Sequence, residues 1–185
     1  MKRLLLCTGI LFAATTLFAQ AGSAPPKQQK SPAAKEVATL SGKSISIAYS
    51  SPRVNGRQGK IFTKDGLISH DPTYPVWRAG ANAATTLTTD ADLTIGKLSV
   101  PKGTYTLYVD IADPAHWVLI VNKQTGQWGT KYDSAQNLGY VPMKMSVPPA
   151  MVEELKYTLA AQGTHKGTLT LAWENVTASV PVVAK

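Results

Sequence analysis

Apart from Arg3, the chain has three arginines, Arg53, Arg57 and Arg78, all between positions 53 and 78, whereas its lysines are scattered from end to end. A guanidinium is a planar fork that pairs bidentately with carboxylate or phosphate and stacks on aromatic rings. Trp77 stands beside Arg78 as a stacking ring, and Asn82 offers a directional hydrogen bond. This confinement predicts one anion-recognising cluster, with Arg53, Arg57, Trp77, Arg78, Asn82 and Glu174 as the candidate ligand-binding residues. The same residue types also suit a structural role, with arginines crossing the edge of a sheet to meet Glu174 or Asp110. Three guanidiniums repel one another, so either role requires acidic partners or an anionic ligand. Glu174 is the first expected partner, because its side chain leaves the strand face opposite Trp173. Asn55-Gly56 is a turn sequence that would let Arg53 and Arg57 flank it.

Other chemistry is thinly supported. His70, His116 and His165 are far apart in sequence, and none has a zinc-ligand spacing such as H-E-x-x-H. There is no G-x-S-x-G elbow, and His70-Asp71 before Pro72 reads as a polar turn. No nucleophile–base pair is visible, so no catalytic residue, metal ligand or cofactor is assigned. Asn175-Val176-Thr177 matches a glycosylation acceptor by chance. Trp117 and Trp173 stand on apolar strand faces and are expected in the core. Trp77 and Trp128 have Gly-rich, loop-like contexts that suit either stacking on a sugar or capping the core.

The elements that would position these residues follow an export signal. Lys2 and Arg3 form a positive start, Leu4 to Ala19 is almost wholly apolar, and Ala19-Gln20-Ala21 fits a signal-peptidase site. Residues 1–21 are therefore expected to be a cleaved signal peptide, too short an apolar run for a membrane span of about 20 residues. Cys7, the single cysteine, would leave with it, so the mature chain would have no thiol. Residues 22–36, rich in Pro, Ala, Gln and Lys, read as a disordered linker. The domain is expected over residues 37–185. The whole chain carries 19 basic and 11 acidic residues. Without Lys2 and Arg3, 17 basic residues remain and the net charge is +6. That balance favours anionic neighbours such as an envelope polymer or a small anionic ligand. No Lys/Arg stripe or motif supports nucleic-acid binding, and no membrane span is expected in the mature chain.

Within the domain the apolar period is two. Ile45, Ile47 and Tyr49 alternate with small or polar residues, as do Tyr105 to Ile111, Val141 to Val147, Leu155 to Leu159 and Leu169 to Trp173. Each pattern predicts a strand buried on one face. Trp117 to Val121 is apolar on both faces and predicts a central strand. Asn55-Gly56, Asp65-Gly66, Gly96-Lys97, Pro101-Lys102-Gly103 and Gln162-Gly163 supply turns. Many short strands without a long helical pattern predict an all-β, single-domain antiparallel β-sandwich, jelly-roll-like. Tyr105, Leu107, Val109, Leu119, Leu169, Leu171 and Trp173 are expected in one core. Met151 to Leu155 also allows a short helical turn.

Several segments resemble a bacterial exported family catalogued as domain of unknown function 2911. They are Ser51-Pro52-Arg53 with Gly56-Arg57 and Lys60-Ile61-Phe62, then Val76-Trp77-Arg78-Ala79-Gly80-Ala81-Asn82 with Ala84-Thr85-Thr86. They continue through Ile95-Gly96-Lys97, Pro101-Lys102-Gly103-Thr104-Tyr105, Trp117-Val118, Asn122-Lys123 and Gln127-Trp128-Gly129, and end with Leu169 to Glu174 and Val180-Pro181-Val182. This order spans nearly all of the domain. The resemblance implies an exported β-sandwich and no particular activity. Ala83 stands where the family pattern has Glu, and Thr63 with a longer insertion through Tyr74 follows Ile61-Phe62.

The function expected on these grounds is that of an exported envelope protein, a non-catalytic binding module for an anionic or sugar-containing ligand. Arg53, Arg57 and Arg78 would hold the anion and Trp77 would supply a stacking face. The alternatives are a structural or accessory envelope protein without a ligand, and a hydrolase or isomerase using Glu174 or Asp110 beside the arginines. Where the arginines point discriminates among the three.

Overall fold

The computed structural model describes residues 30–185. The expected signal peptide, residues 1–21, and the linker through residue 29 lie outside the described residues.

The period-two segments form two antiparallel sheets packed face to face. The first has the order β1 (Ala33–Leu40), β2 (Lys43–Ser50), β4 (Thr85–Thr89), β7 (Gly103–Asp110), β8 (Val118–Asn122) and β9 (Asn137–Pro142), with β3 (Val76–Trp77) also pairing β7. The second has the order β11 (Val152–Ala161), β12 (Lys166–Glu174), β13 (Val176–Ala184), β5 (Leu93–Ile95) and β6 (Leu98–Val100), with β10 (Lys144–Ser146) pairing β13. The expected all-β antiparallel sandwich is thus the observed one. All seven expected core residues, from Tyr105 to Trp173, belong to one hydrophobic cluster between the sheets.

β7 and β8 are buried on both faces, as interior strands of a covered sheet are. Beneath the segment after β8, Tyr108, Ile120 and Ala84 form a second, smaller cluster with Tyr132 and Val76 against it. Gln127 Nε2 reaches the Tyr108 hydroxyl at 3.1 Å and Thr106 Oγ1 at 3.2 Å, so this outer layer has polar as well as apolar contacts. Desolvation raises the Tyr108 pKa above its ordinary value.

Three expectations about boundaries are corrected. The sheet begins earlier than residue 37, inside the expected linker. β1 begins at Ala33, and Ala33 to Glu36 pair in register with Ser50 to Ile47 of β2, because backbone hydrogen bonding does not depend on side-chain size. Met151 to Leu155 contains no helical turn. Val152 opens β11, and a register shift between Val152 and Lys156 makes room for Val54 N–H to donate to the Glu153 carbonyl at 2.8 Å. The alternation from Val141 to Val147 is split between sheets. Val141 is buried from β9, the chain crosses at Met143 into β10, and Val147 is 79% exposed.

Leu107, 0% exposed in β7, and Leu171, 2% exposed in β12, meet in the core from opposite sheets. Replacing either by Ala is expected to lower the free energy of unfolding by about 2–5 kcal/mol. Val147→Ala should change it by less than about 0.5 kcal/mol. Denaturant titration followed by tryptophan fluorescence checks both, and a loss at Leu107 or Leu171 as small as at Val147 contradicts the core assignment.

Candidate functional site

β3 and β4 lie on the same edge of β7, end to end. Trp77 pairs with Val109, and the chain next pairs at Thr85 with Leu107. Between those points residues 78–84 leave the sheet and return. This excursion carries Arg78 and Asn82. Its backbone is left-handed at two non-glycine residues, Ala79 (φ +48°) and Asn82 (φ +60°), a conformation that costs such residues roughly 1–2 kcal/mol each. What holds it is the carbonyl oxygen of Ala79. That oxygen accepts from the Tyr157 hydroxyl at 3.0 Å and from Thr85 Oγ1 at 3.1 Å, all buried. Burial raises the Tyr157 pKa far above its ordinary value, so the phenol stays a donor throughout the accessible pH range. Gly80 has no room for a side chain, since a Cβ there would stand 2.9 Å from Thr85 Oγ1 and 3.2 Å from the Ser50 carbonyl oxygen.

A second segment faces this excursion. Asn55 (φ +49°) and Gly56 (φ +73°) form the expected tight turn, closed by Arg57 N–H donating to the Val54 carbonyl at 3.1 Å. Leu155 N–H donates to the Pro52 carbonyl and Asn55 N–H to Glu153 Oε1, each at 2.9 Å, which ties the turn to β11. Arg53 and Arg57 flank the turn, as the sequence predicts.

Between the two segments lies a cavity of about 730 Å³. Arg53, Arg57 and Arg78 all line it, with Trp77, Asn82, Trp173, His70 and Asp71 among the other lining residues. The guanidiniums are held differently. Arg78 gives Nη2 and Nε to Asp71 Oδ2 at 2.5 and 3.2 Å, and Nη1 to the Asn82 carbonyl at 3.3 Å. Arg53 Nη2 pairs with Glu154 Oε1 nearer the surface. Arg57 donates Nη2 to the Arg53 carbonyl at 2.6 Å and Nε to the Val54 carbonyl at 3.0 Å, and meets no carboxylate among the described residues. Gly129 packs on Arg78 so closely that a Cβ there would overlap the arginine stem and come within 2.9 Å of the Asn82 carbonyl oxygen.

Three expectations about individual residues are corrected. Trp77 is in the aromatic core, 1% exposed. It stacks on Trp173 at 5.9 Å between centroids and 19° between planes, with Phe62 and Trp117 edge-on at 5.5 and 6.1 Å. It therefore offers no open face to a sugar. Trp173 Nε1 is buried in the same cluster without a hydrogen-bond acceptor among the described residues. Glu174 is not an arginine partner and does not line the cavity. It occupies the β12–β13 turn at φ +56°, 4% exposed, and accepts the Gly59 N–H. The left-handed backbone turns its carboxylate toward the segment after Arg57. Asn82 lines the cavity, but it is its backbone carbonyl that holds Arg78 and accepts Gly129 N–H at 3.0 Å.

The sequence reading missed Asp71 and Glu154, the actual carboxylate partners. Asp71 is seven residues before Arg78 in a stretch without strand periodicity, and Glu154 is in a segment with two possible conformations. His70 lines the cavity and is exposed. Among the described residues there is no group of three or more His, Cys, Asp or Glu side chains that could hold a metal ion. No helix among them is long and apolar enough to cross a membrane.

The Arg78–Asp71 pair is largely buried, with side chains 16% and 7% exposed. Arg78→Lys keeps the charge and loses the fork that joins Asp71 to the Asn82 carbonyl. Thermal or denaturant unfolding should show a loss of about 1–3 kcal/mol, as for a buried charge-assisted bond left poorly made. An unchanged midpoint would remove Arg78 from the framework of the excursion.

No curated protein and no solved structure matches the chain. A family profile described as a protein of unknown function, DUF2911, matches residues 31–182. The match spans both sheets, the 53–57 turn and the 78–84 excursion that together enclose the arginine-lined cavity. The chain therefore belongs to the DUF2911 family.

Proposed function

We propose that this protein is an exported, non-catalytic binding module whose ligand is a small anion held in the cavity between the 53–57 turn and the 78–84 excursion. The observation that carries this reading is Arg57. Its charge lines a cavity large enough for a small molecule, and no carboxylate among the described residues neutralises it. Lys30, Arg53, Arg57 and Arg78 outnumber Asp71 and Glu153 among the lining residues, so the cavity favours negative charge. The closure of Trp77 by Trp173 argues for an anion as the recognised feature and against a stacked sugar. Export rests on Lys2, Arg3, the apolar run and Ala19-Gln20-Ala21.

The structural alternative is favoured by the pairing of Arg78 with Asp71 and of Arg53 with Glu154, which occupies two of the three guanidiniums within the fold. Arg57 separates the two readings. In the binding reading, protein purified natively from cells carries a small acid detectable by mass spectrometry, and Arg57→Gln abolishes its retention. In the structural reading nothing is retained and Arg57→Gln only lowers stability. N-terminal sequencing of the same material is expected to start near Gly22, and a start at Met1 would refute export by a cleaved signal.

A further inference from the structure

Resting on the anion-binding reading above, we infer that the cavity selects a monocarboxylate with an apolar body, and that it discriminates against phosphate and against polyanions. The argument starts from the donors still available. Arg57 spends Nε and one N–H of Nη2 on the Val54 and Arg53 carbonyls. Among the described residues the edge formed by Nη1 and the second N–H of Nη2 is left, two parallel donors that match the two oxygens of one carboxylate. Arg78 has three of its five N–H groups engaged with Asp71 and the Asn82 carbonyl, and its charge is already balanced by Asp71, so it adds framework rather than a second unbalanced charge.

Phosphate needs more than one fork. It carries three strong acceptor oxygens and close to two charges, and proteins usually meet it with several backbone N–H groups from a nest or a helix N-terminus. The turn that carries Arg57 offers neither. The N–H groups of Asn55 and Gly59 donate to Glu153 and Glu174 side chains, and those of Val54, Arg57 and Lys60 to backbone carbonyls. Beyond Arg57, the lining guanidiniums of Arg53 and Arg78 are paired with carboxylates and Lys30 is exposed to solvent, so a second negative charge finds little to balance it. Asp71 and Glu153 are both present, and Glu154 is adjacent through Arg53. A ligand with charge −1 balances Arg57, and each further charge is placed against these carboxylates.

The rest of the ligand meets apolar wall. Pro52, Leu67, Ile68 and Pro72 line the cavity together with the Trp77–Trp173 pair. Leu67 is 39% exposed, a large apolar side chain left partly open to solvent. An alkyl or aryl body attached to the carboxylate would cover it.

The test is isothermal titration of protein purified from cells expressing the full chain, with hexanoate, benzoate and inorganic phosphate as probes at one low ionic strength. The expected result is binding of at least one carboxylate about tenfold or more tighter than phosphate, weakened by about tenfold or more in Arg57→Lys, which keeps charge but loses the two-donor edge. Leu67→Glu, at an exposed position, should weaken the same carboxylate without disturbing the fold, and circular dichroism of both variants confirms that they are folded. Phosphate binding as tight as or tighter than the carboxylates overturns the selectivity and leaves the anion-binding reading standing. Carboxylate binding indifferent to both substitutions overturns the placement of the ligand in this cavity. Failure of all three probes overturns the monocarboxylate inference, and the retained acid sought by mass spectrometry then decides the broader reading on its own.

Discussion

Two hydroxyls on one carbonyl oxygen hold the arginine-lined face of this protein in place. The Ala79 carbonyl is buried at the point where the chain leaves the edge of β7, and its oxygen accepts from the hydroxyls of Tyr157 on one sheet and Thr85 on the other. An unfilled carbonyl at that depth would cost about 1–3 kcal/mol, more than a typical intramolecular hydrogen bond contributes. The left-handed conformations at Ala79 and Asn82 add their own cost. The excursion is therefore stable only while both sheets are docked, and the arginine it carries is positioned by the sandwich as a whole rather than by its own segment.

Charge is managed by the same logic. Burying a guanidinium is tolerable when its donors are met. Arg78 is satisfied by a largely buried carboxylate and a backbone carbonyl, and Arg53 by a carboxylate near solvent. Arg57 is fixed by two backbone carbonyls and meets no carboxylate among the described residues. Glu174, buried at a left-handed turn, grips Gly59 and so tethers the segment that follows Arg57. The aromatic cluster of Phe62, Trp77, Trp117 and Trp173 supplies a rigid wall behind this charge. Aromatic faces and edges in contact are worth about 0.5–1.5 kcal/mol per pair beyond burial, and they leave little freedom for the backbone on either side.

Much of the scaffold was legible because strand burial writes itself as a period of two. Ile45 and Ile47, Leu169 to Trp173 and the double-sided run of β8 are all readable without coordinates. The turn at Asn55-Gly56 was equally clear, since Asn-Gly is the sequence that a double positive φ demands. The gathering of Arg53, Arg57 and Arg78 around one cavity followed from their confinement in sequence. What sequence could not supply was which carboxylate each arginine meets. Asp71 and Glu154 lie in stretches without a period, and nothing local marks them as partners of Arg78 and Arg53. Glu174 misled because strand alternation predicts where its side chain goes only while the backbone stays extended, and at φ +56° it does not. Trp77 misled for a related reason. A glycine-rich neighbourhood suggested an open loop, yet two residues of β3 suffice to turn its ring into the core.

The placement of β13 has a consequence for how the molecule comes into being. Residues 176–184 run through the middle of the second sheet, bonded along one side to β12 and along the other to β10 and β5. The contact with β5 joins Val182 to Ile95 and Ala184 to Leu93, and Lys185 N–H still finds the Asp92 carbonyl at 2.9 Å. A strand that arrives late in synthesis and binds so far back makes closure of this half of the sandwich a slow, long-range event. Until it arrives, β5, β10 and β12 each keep an unpaired edge, and the apolar faces of Leu169 and Leu171 lack their neighbours on β13. Such an intermediate is the kind that aggregates or recruits a chaperone. Closure of the second sheet therefore waits on a strand made well after β5, the partner it must find.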